Sequence, residues 1–461
     1  MTLITDECSI GRLTIHMLSD DVLLYIFDLY RQGSREVDDK WPWRILVHVC
    51  QRWRYIIFAW PHHLDLQLDC EAEGEVEWAL DIWPANVPIN IRVNLDFWHE
   101  PDIISLLEPR DRIATIDFSW LTELHFQRCI AAMQEPFPIL RTLILSGDEN
   151  AQQVITDTFL GGYAPRLQTI HLALIAFPTL PKFLLSATEL VKLTLSSITR
   201  TGYISPDALA ASMSMLKRLE HVHLIFQSPD SFPNLTNRHP PALTRVVLPA
   251  LKKFIFEGLS EYSEDLISRI DTPLLSYFSL QFFNQPNFDI PQVPQFLNRI
   301  PNFKPPLKAR IAFSDFTIVA SLFSPGCNFL FQSKCTGLDR QLLLLEQIYT
   351  QCLPHTSHVN HLKLKKEYGS GREQQDSALW LGFLHPFNAV QILDFTDHQL
   401  DVDIAFVLRE LTAEGAAEVL PMLHTVMLYA RVKPLAIHIL RPFIDARKLS
   451  DHPVAVSWIP D

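Results

Sequence analysis

Side chains able to bind a metal, activate a nucleophile or cradle a phosphate are scarce in this sequence, and their spacing is poor. His355, His358 and His361 recur at steps of three, which would carry imidazole nitrogens along one helical side toward a metal ion. The set runs into an alternating strand pattern at 359–364, where steps of three diverge, and no acid or cysteine completes it. Gly369-Ser370-Gly371 has the composition of a phosphate loop but no preceding Rossmann strand with a helix after it, and Lys365 and Lys366 stand upstream instead of at the Walker position. A surface loop is expected there. Neither H-E-x-x-H nor G-x-S-x-G occurs. Cys50 is expected on an apolar helix face, where a thiol is inert. Glu71, Glu73, Glu75 and Glu77 read as a solvated helix start, and the sequon Asn234-Leu235-Thr236 has no role in an intracellular chain. The expectation is a protein with no catalytic residue, no metal and no cofactor.

The composition bounds the scaffold. The chain has 461 residues, 39 Lys+Arg against 52 Asp+Glu, a formal net charge of −13, and 48% apolar residues. That is ample for a large core and unsuited to general nucleic-acid binding, which needs a basic footprint. Seven irregularly scattered cysteines fit reduced thiols better than a disulfide framework. Asp6 and Glu7 precede any basic residue, and no stretch of about 18 apolar residues exists, so neither a secretory signal nor a membrane span is expected. These features predict a soluble protein of the cytoplasm or nucleus. Pro 32 against Gly 14 is an unusual ratio, as if proline punctuated repeated units.

A repeat does emerge: apolar-x-x-apolar-x-apolar. It runs Ile113/Ile116/Phe118, Leu140/Leu143/Leu145, Leu167/Ile170/Leu172, Leu190/Leu193/Leu195, Leu219/Val222/Leu224, Leu251/Phe254/Phe256 and Leu275/Phe278/Leu280. It resumes at Val359/Leu362/Leu364, Val390/Leu393/Phe395 and Leu423/Val426/Leu428, with steps of 23–33 residues within each series. The last two apolar positions share one face of a short strand, and one unit alone cannot bury that face whereas stacked units can. Pro138, Pro165, Pro249, Pro273 and Pro421 each stand two residues before a unit, suiting a corner into a strand. Helical spacing recurs between strands at Trp120, Leu121, Leu124, Cys129, Ala132 and Met133, at Leu342, Leu345, Ile348 and Tyr349, and at Ala405, Leu408 and Leu411. Strand plus helix in each unit resembles an irregular leucine-rich repeat horseshoe without the usual Asn ladder. The fold class expected is an α/β solenoid of parallel strands with helices. Residues 286–358 fit worst: Pro286, Pro291, Pro294, Pro301, Pro305 and Pro306 crowd them, and a loop or distorted repeat is expected, with one further strand available at Ile311 and Phe313.

Residues 16–62 differ in character. Ser19 is a good N-cap, Asp20 and Asp21 suit a first helical turn, and Val22, Leu23, Ile26 and Phe27 share one face. After a charged loop, Leu46, Val49, Cys50, Trp53 and Ile57 repeat at three and four, predicting one helix ended by Pro61. Leu64, Leu66 and Leu68 then alternate as a strand entering the solenoid at residue 63. "LSDDVLLYIF" followed by "WPWRILVHVCQRWRYIIFAWPHHLDLQL" resembles an F-box, the helical module of fungal F-box proteins. Leu18, Val22, Leu23, Ile26 and Phe27 match its opening, and Val49-Cys50-Gln51-Arg52-Trp53-Arg54 is a variant of its V-C-[RK]-x-W hallmark. Ser19 stands where the family carries Pro, and Asp21 where Glu is common. "FIDARKLSDHPVAVSW", from Phe443 to Trp458, resembles the endings of large F-box proteins of mushroom-forming fungi.

The resemblance implies an all-α F-box at 16–62, after a tail at 1–15, and a solenoid over 63–461. The module would bind a Skp-family adaptor, and through it a cullin, while the repeats hold a protein substrate for ubiquitination. Leu18, Ser19, Val22, Leu23, Ile26, Phe27, Leu46, Val49, Cys50 and Trp53 would form the adaptor surface, although the same side chains could join the two helices as core. The alternative is a leucine-rich-repeat scaffold whose F-box does not engage the adaptor, which Ser19 favours. No substrate residue is assigned; Phe232, Phe283 and Phe288 lie in or next to candidate loops at 229–240 and 284–306 and serve equally as core.

Overall fold

The computed structural model describes residues 15–33, 43–60, 66–71, 73–94, 102–148, 153–176, 182–233, 244–284, 290–352, 354–366, 377–395, 419–429 and 433–459. Its strands are β1 (Leu68–Cys70), β2 (Ile89–Asn94), β3 (Ile113–Leu121), β4 (Thr142–Gly147), β5 (Thr169–Ala173), β6 (Lys192–Ile198), β7 (His221–Phe226) and β8 (Lys253–Gly258). They continue as β9 (Tyr277–Phe282), β10 (Lys308–Phe313), β11 (Thr317–Phe323), β12 (Asn328–Lys334), β13 (His361–Lys366), β14 (Ile392–Phe395), β15 (Thr425–Tyr429) and β16 (Ala455–Ile459). The helices are α1 (Asp20–Gly33), α2 (Arg44–Val47), α3 (Gln51–Ala59), α4 (Glu73–Ile82), α5 (Ile103–Leu107), α6 (Glu123–Ala132), α7 (Lys182–Ser186), α8 (Pro206–Met213), α9 (Ser260–Ser268), α10 (Gln292–Arg299), α11 (Leu338–Gln347), α12 (Ser377–Leu384) and α13 (Lys433–Leu449).

These sixteen strands form one mostly parallel sheet, in chain order except that β10, β11 and β12 run in reverse between β9 and β13, while Gln153–Val154 with Ile175–Ala176 and Val246–Val247 with Ile270–Asp271 make two short pairs outside it. The repeat explains this stacking. Leu143, Ile170, Leu193, Val222, Phe254, Phe278 and Phe329 lie in register across β4–β9 and β12. Every residue of the ten sequence triplets is buried. Alternation then leaves the intervening side chains on the opposite, open face, half-buried or exposed for the most part. Phenylalanines extend the inward row as a ladder, with ring centroids 5.8 Å apart for Phe254–Phe278 and 5.4 Å for Phe278–Phe329.

The prolines do set the corners. The Leu140, Leu167, Leu251, Leu275 and Leu423 amides donate to the carbonyls of Phe137, Ala164, Leu248, Thr272 and Leu420, at 3.0–3.4 Å. Pro138, Pro165, Pro249, Pro273 and Pro421 thus occupy the second position of a four-residue turn, where their fixed φ is pre-set. Buried and half-buried polar groups tie successive units. Arg112 donates to the Pro84 and Val87 carbonyls, Arg299 to those of Ile267 and Ile270, and Arg447 to those of Val419 and Leu420. The buried Glu264 carboxylate accepts the Gln292 and Val293 amides at 2.6 and 3.1 Å, satisfying free donors at the start of α10.

Several sequence expectations need correction. Residues 286–358 hold more than one strand: α10, an antiparallel meander β10–β11–β12 and α11 all fall there. The meander follows period-two alternation (Ile318, Ala320, Leu322; Phe329, Phe331) joined by short turns, a pattern the six-residue repeat does not capture. Strand β2, with Ile89, Ile91 and Val93 inward, is a further unit beyond the ten. Trp120 and Leu121 close β3 instead of opening a helix; α6 begins at Glu123 with Thr122 as its N-cap. The single helix foreseen around 43–58 is two, α2 and α3, broken at His48–Cys50. Extended backbone at Cys50 (φ −159°) lets its sulfur cap the Trp53 amide at 3.5 Å. The helical pattern at Ala405, Leu408 and Leu411, the loop at 369–371, residue 64, the sequon at 234–236 and Phe288 lie outside the described residues.

Candidate protein-binding surface

Helix α1 is apolar on more than one side. Leu23, Leu24 and Phe27 are buried and join the same core as the sheet. Val22 (43% exposed), Tyr25 (64%), Ile26 (36%) and Leu29 (50%) recur at i, i+3, i+4 and i+7 along the solvent side. Exposed Ile45 lies on α2 and exposed Val49 just after it. Surface helices normally turn charge outward, so a second apolar stripe of this length stands apart from scattered exposure.

The frame behind the stripe is fixed by polar and aromatic contacts. The Ser19 hydroxyl accepts the Val22 amide at 3.4 Å, capping α1. Arg52 on α3 pairs with Asp20 at 2.6 Å and donates to the Leu18 carbonyl at 2.7 Å, so the start of α1 is clamped to α3. The Trp53 ring packs 4.8 Å from Phe27. Trp43, Phe58, Trp78 and Trp83 cluster edge-on with centroids 5.1–6.4 Å apart, fastening α2, α3 and α4. Between these helices lies an open cleft of about 670 Å³ lined by Ile45, His48, Arg54, Phe58, Trp78 and Ile82.

Of the ten candidate residues, Leu23, Phe27 and Leu46 are buried among the helices, where they support the surface and present nothing to a partner in this conformation. Val22, Ile26, Val49 and Ser19 are exposed; Leu18, Cys50 and Trp53 are half-buried. Cys50 is an N-cap and not a member of an apolar helix face. Tyr25, Leu29 and Ile45 were missed by sequence reasoning. Their signal was available, since Val22, Tyr25, Ile26 and Leu29 keep helical spacing one step round from the inward set.

The chemical motifs lead elsewhere. His361 on β13 meets Asp394 on β14 at 3.2 Å, and His358 is exposed. No group of three metal-ligating side chains gathers among the described residues. Burial pushes the Cys129 and Cys327 thiols up to about 12, so neither is a nucleophile at neutral pH. Glu75 accepts the Glu71 amide at 2.7 Å at the start of α4, a capping role. Phe232 and Phe283 are buried core. Among the described residues no helix is long and apolar enough to cross a membrane. No protein-family model matches the chain, and no curated protein matches it.

Proposed function

We propose that the chain is an F-box-type substrate receptor. In this reading α1–α3 dock on a Skp-family adaptor that joins a cullin-based ubiquitin ligase, and the strand-and-helix array, an irregular leucine-rich-repeat solenoid, holds a protein substrate. The chain supplies no reacting residue; it raises the local concentration of substrate lysines near a charged conjugating enzyme. Its place of action would be the cytoplasm or nucleus, where such ligases work.

The observation that carries the reading is the unpartnered stripe Val22, Tyr25, Ile26 and Leu29, held on a helix clamped to α3. Covering such side chains in a groove is worth about 1.5–3 kcal/mol for each one fully buried. The test is co-purification of the full chain with a Skp-family adaptor, comparing wild type with Val22→Asp/Ile26→Asp. Both changes fall on exposed positions, so the fold survives, whereas a change at buried Phe27 would unfold the module. Binding by wild type, weakened at least about 100-fold in the variant, supports the reading. Absence of wild-type binding refutes it and leaves a repeat scaffold whose N-terminal helices do not engage the adaptor.

A further inference from the structure

The open face of the sheet is cationic in a chain of net charge −13. Lys192 on β6 and Lys253 on β8 flank His221 of β7 in register. Four strand steps from β8, Lys308 and Arg310 of β10 stand beside β13, where Arg310 is directly opposite Lys363. Like charges placed opposite each other in a sheet repel, so the Arg310–Lys363 pairing costs stability, which Asp394 in register on the other side of Lys363 offsets only in part. None of these five cations makes an ion pair with a carboxylate among the described residues. The carboxylates nearby are engaged: Glu257 with Lys334 at 2.9 Å and Asp394 with His361 at 3.2 Å. Ile255 on β8 and Leu330 on β12 lie half-buried on the same face, Leu330 between the two cation groups.

We propose that this face is a docking track for an extended acidic segment of a partner protein, with carboxylates on Lys192 and Lys253 at one end and on Lys308, Arg310 and Lys363 at the other. The gap of four strand steps is about 19 Å, the reach of about six extended residues. Ile255 and Leu330 would then meet apolar side chains of the segment, a feature a polyphosphate lacks. The chain's overall negative charge also opposes a nucleic acid more strongly than a short peptide. Burial and the same lysines lower His171, His221 and His223, so the rings stay neutral and the lysines carry the fixed charge. The inference is independent of adaptor binding, which uses other residues at the far N-terminal end. If both hold, the segment belongs to the ligase substrate.

The test is fluorescence anisotropy of the full chain at pH 7 and low salt, about 50 mM, where surface charge is weakly screened. The probes are a labelled twelve-residue peptide alternating Glu and Ala, its Lys–Ala counterpart, and a single-stranded oligonucleotide. Binding of the Glu–Ala peptide alone is expected. It should weaken about tenfold in Lys192→Glu/Lys253→Glu and again in Arg310→Glu/Lys363→Glu. Two separate double variants keep the test decisive if one misfolds by circular dichroism. No binding of the acidic peptide, or equal binding by a folded variant, overturns the proposal. So does an oligonucleotide bound as tightly and lost in the same variants, which would reassign the face to nucleic acid.

Discussion

Acidification should destabilise the fold through His223, by an amount the surrounding residues set. Its ring sits on β7 between Thr194 of β6 and Ile255 of β8, with His171 on β5, Lys192 on β6, His221 on β7 and Lys253 on β8 as the titratable or charged groups facing it. Burial lowers its pKa from 6.5 to about 4, with Lys253 and Lys192 adding to the shift. Because the folded value lies below the unfolded one, the unfolded chain takes up more protons between them. The stability gained by keeping the ring neutral is complete above the unfolded value and is lost as pH falls toward about 4. The full shift corresponds to about 3 kcal/mol, and solvent screening of a half-buried ring reduces this to about 1–2 kcal/mol. The assay is urea unfolding followed by tryptophan fluorescence from pH 7 to pH 4, for wild type and His223→Gln. Carboxylate protonation affects both proteins, so the difference between them isolates the ring. The variant should gain about 1–2 kcal/mol relative to wild type across that range. A difference that stays constant with pH would refute the reasoning.

Three further outcomes follow from packing. Leu23→Ala should cost about 2–5 kcal/mol and Ile26→Ala less than about 1, because the first is buried and the second lies on the solvent side of the same helix; paired chemical denaturation of the two variants reads this directly. Gly326→Ala would drive a Cβ into the Asn302 carbonyl and should lower stability by at least about 2 kcal/mol, seen as a fall in Tm; an unchanged Tm would mean that the turn yields freely. Arg447→Met removes the donor that serves the Val419 and Leu420 carbonyls and should cost about 1–3 kcal/mol, with hydrogen exchange rising first along β15 and β16.

The array was legible where the chain repeats itself. The triplets predicted their own strands because each inward position is filled by the same kind of residue at nearly the same step, and the prolines marked the turns because a fixed φ suits one turn position. The meander was not legible. Its strands pair with immediate neighbours through short turns, so alternation alone encodes them, without the preceding corner residue that marks each repeat. The N-terminal helices were half legible. Periodicity grouped Val22, Leu23, Ile26 and Phe27 on one face, yet a helix apolar on two sides offers no sequence rule for which side faces the core. The packing of Trp53 on Phe27 and the clamp from Arg52 to Leu18 decide it. The open-face cations were invisible for another reason: Arg310 and Lys363 are over fifty residues apart and meet only through strand register.

The meander also has a kinetic meaning. Every parallel pairing in the sheet closes a crossover of eighteen residues or more, and each must lose that loop's entropy before any hydrogen bond forms. Between β10 and β11, Phe313 already faces Ile318, and between β11 and β12, Phe323 faces Asn328, so both pairings close across a handful of residues. Antiparallel ribbons of that size form in microseconds. The two reversals also restore strand direction, so β12 offers a template to β9 on one side and β10 offers one to β13 on the other. Folding of so long an array therefore has a starting point inside it, with nine strands on one side and four on the other, from which it can grow toward both ends at once. In pulse-labelled exchange the amides of 308–334 would become protected before those of either flank.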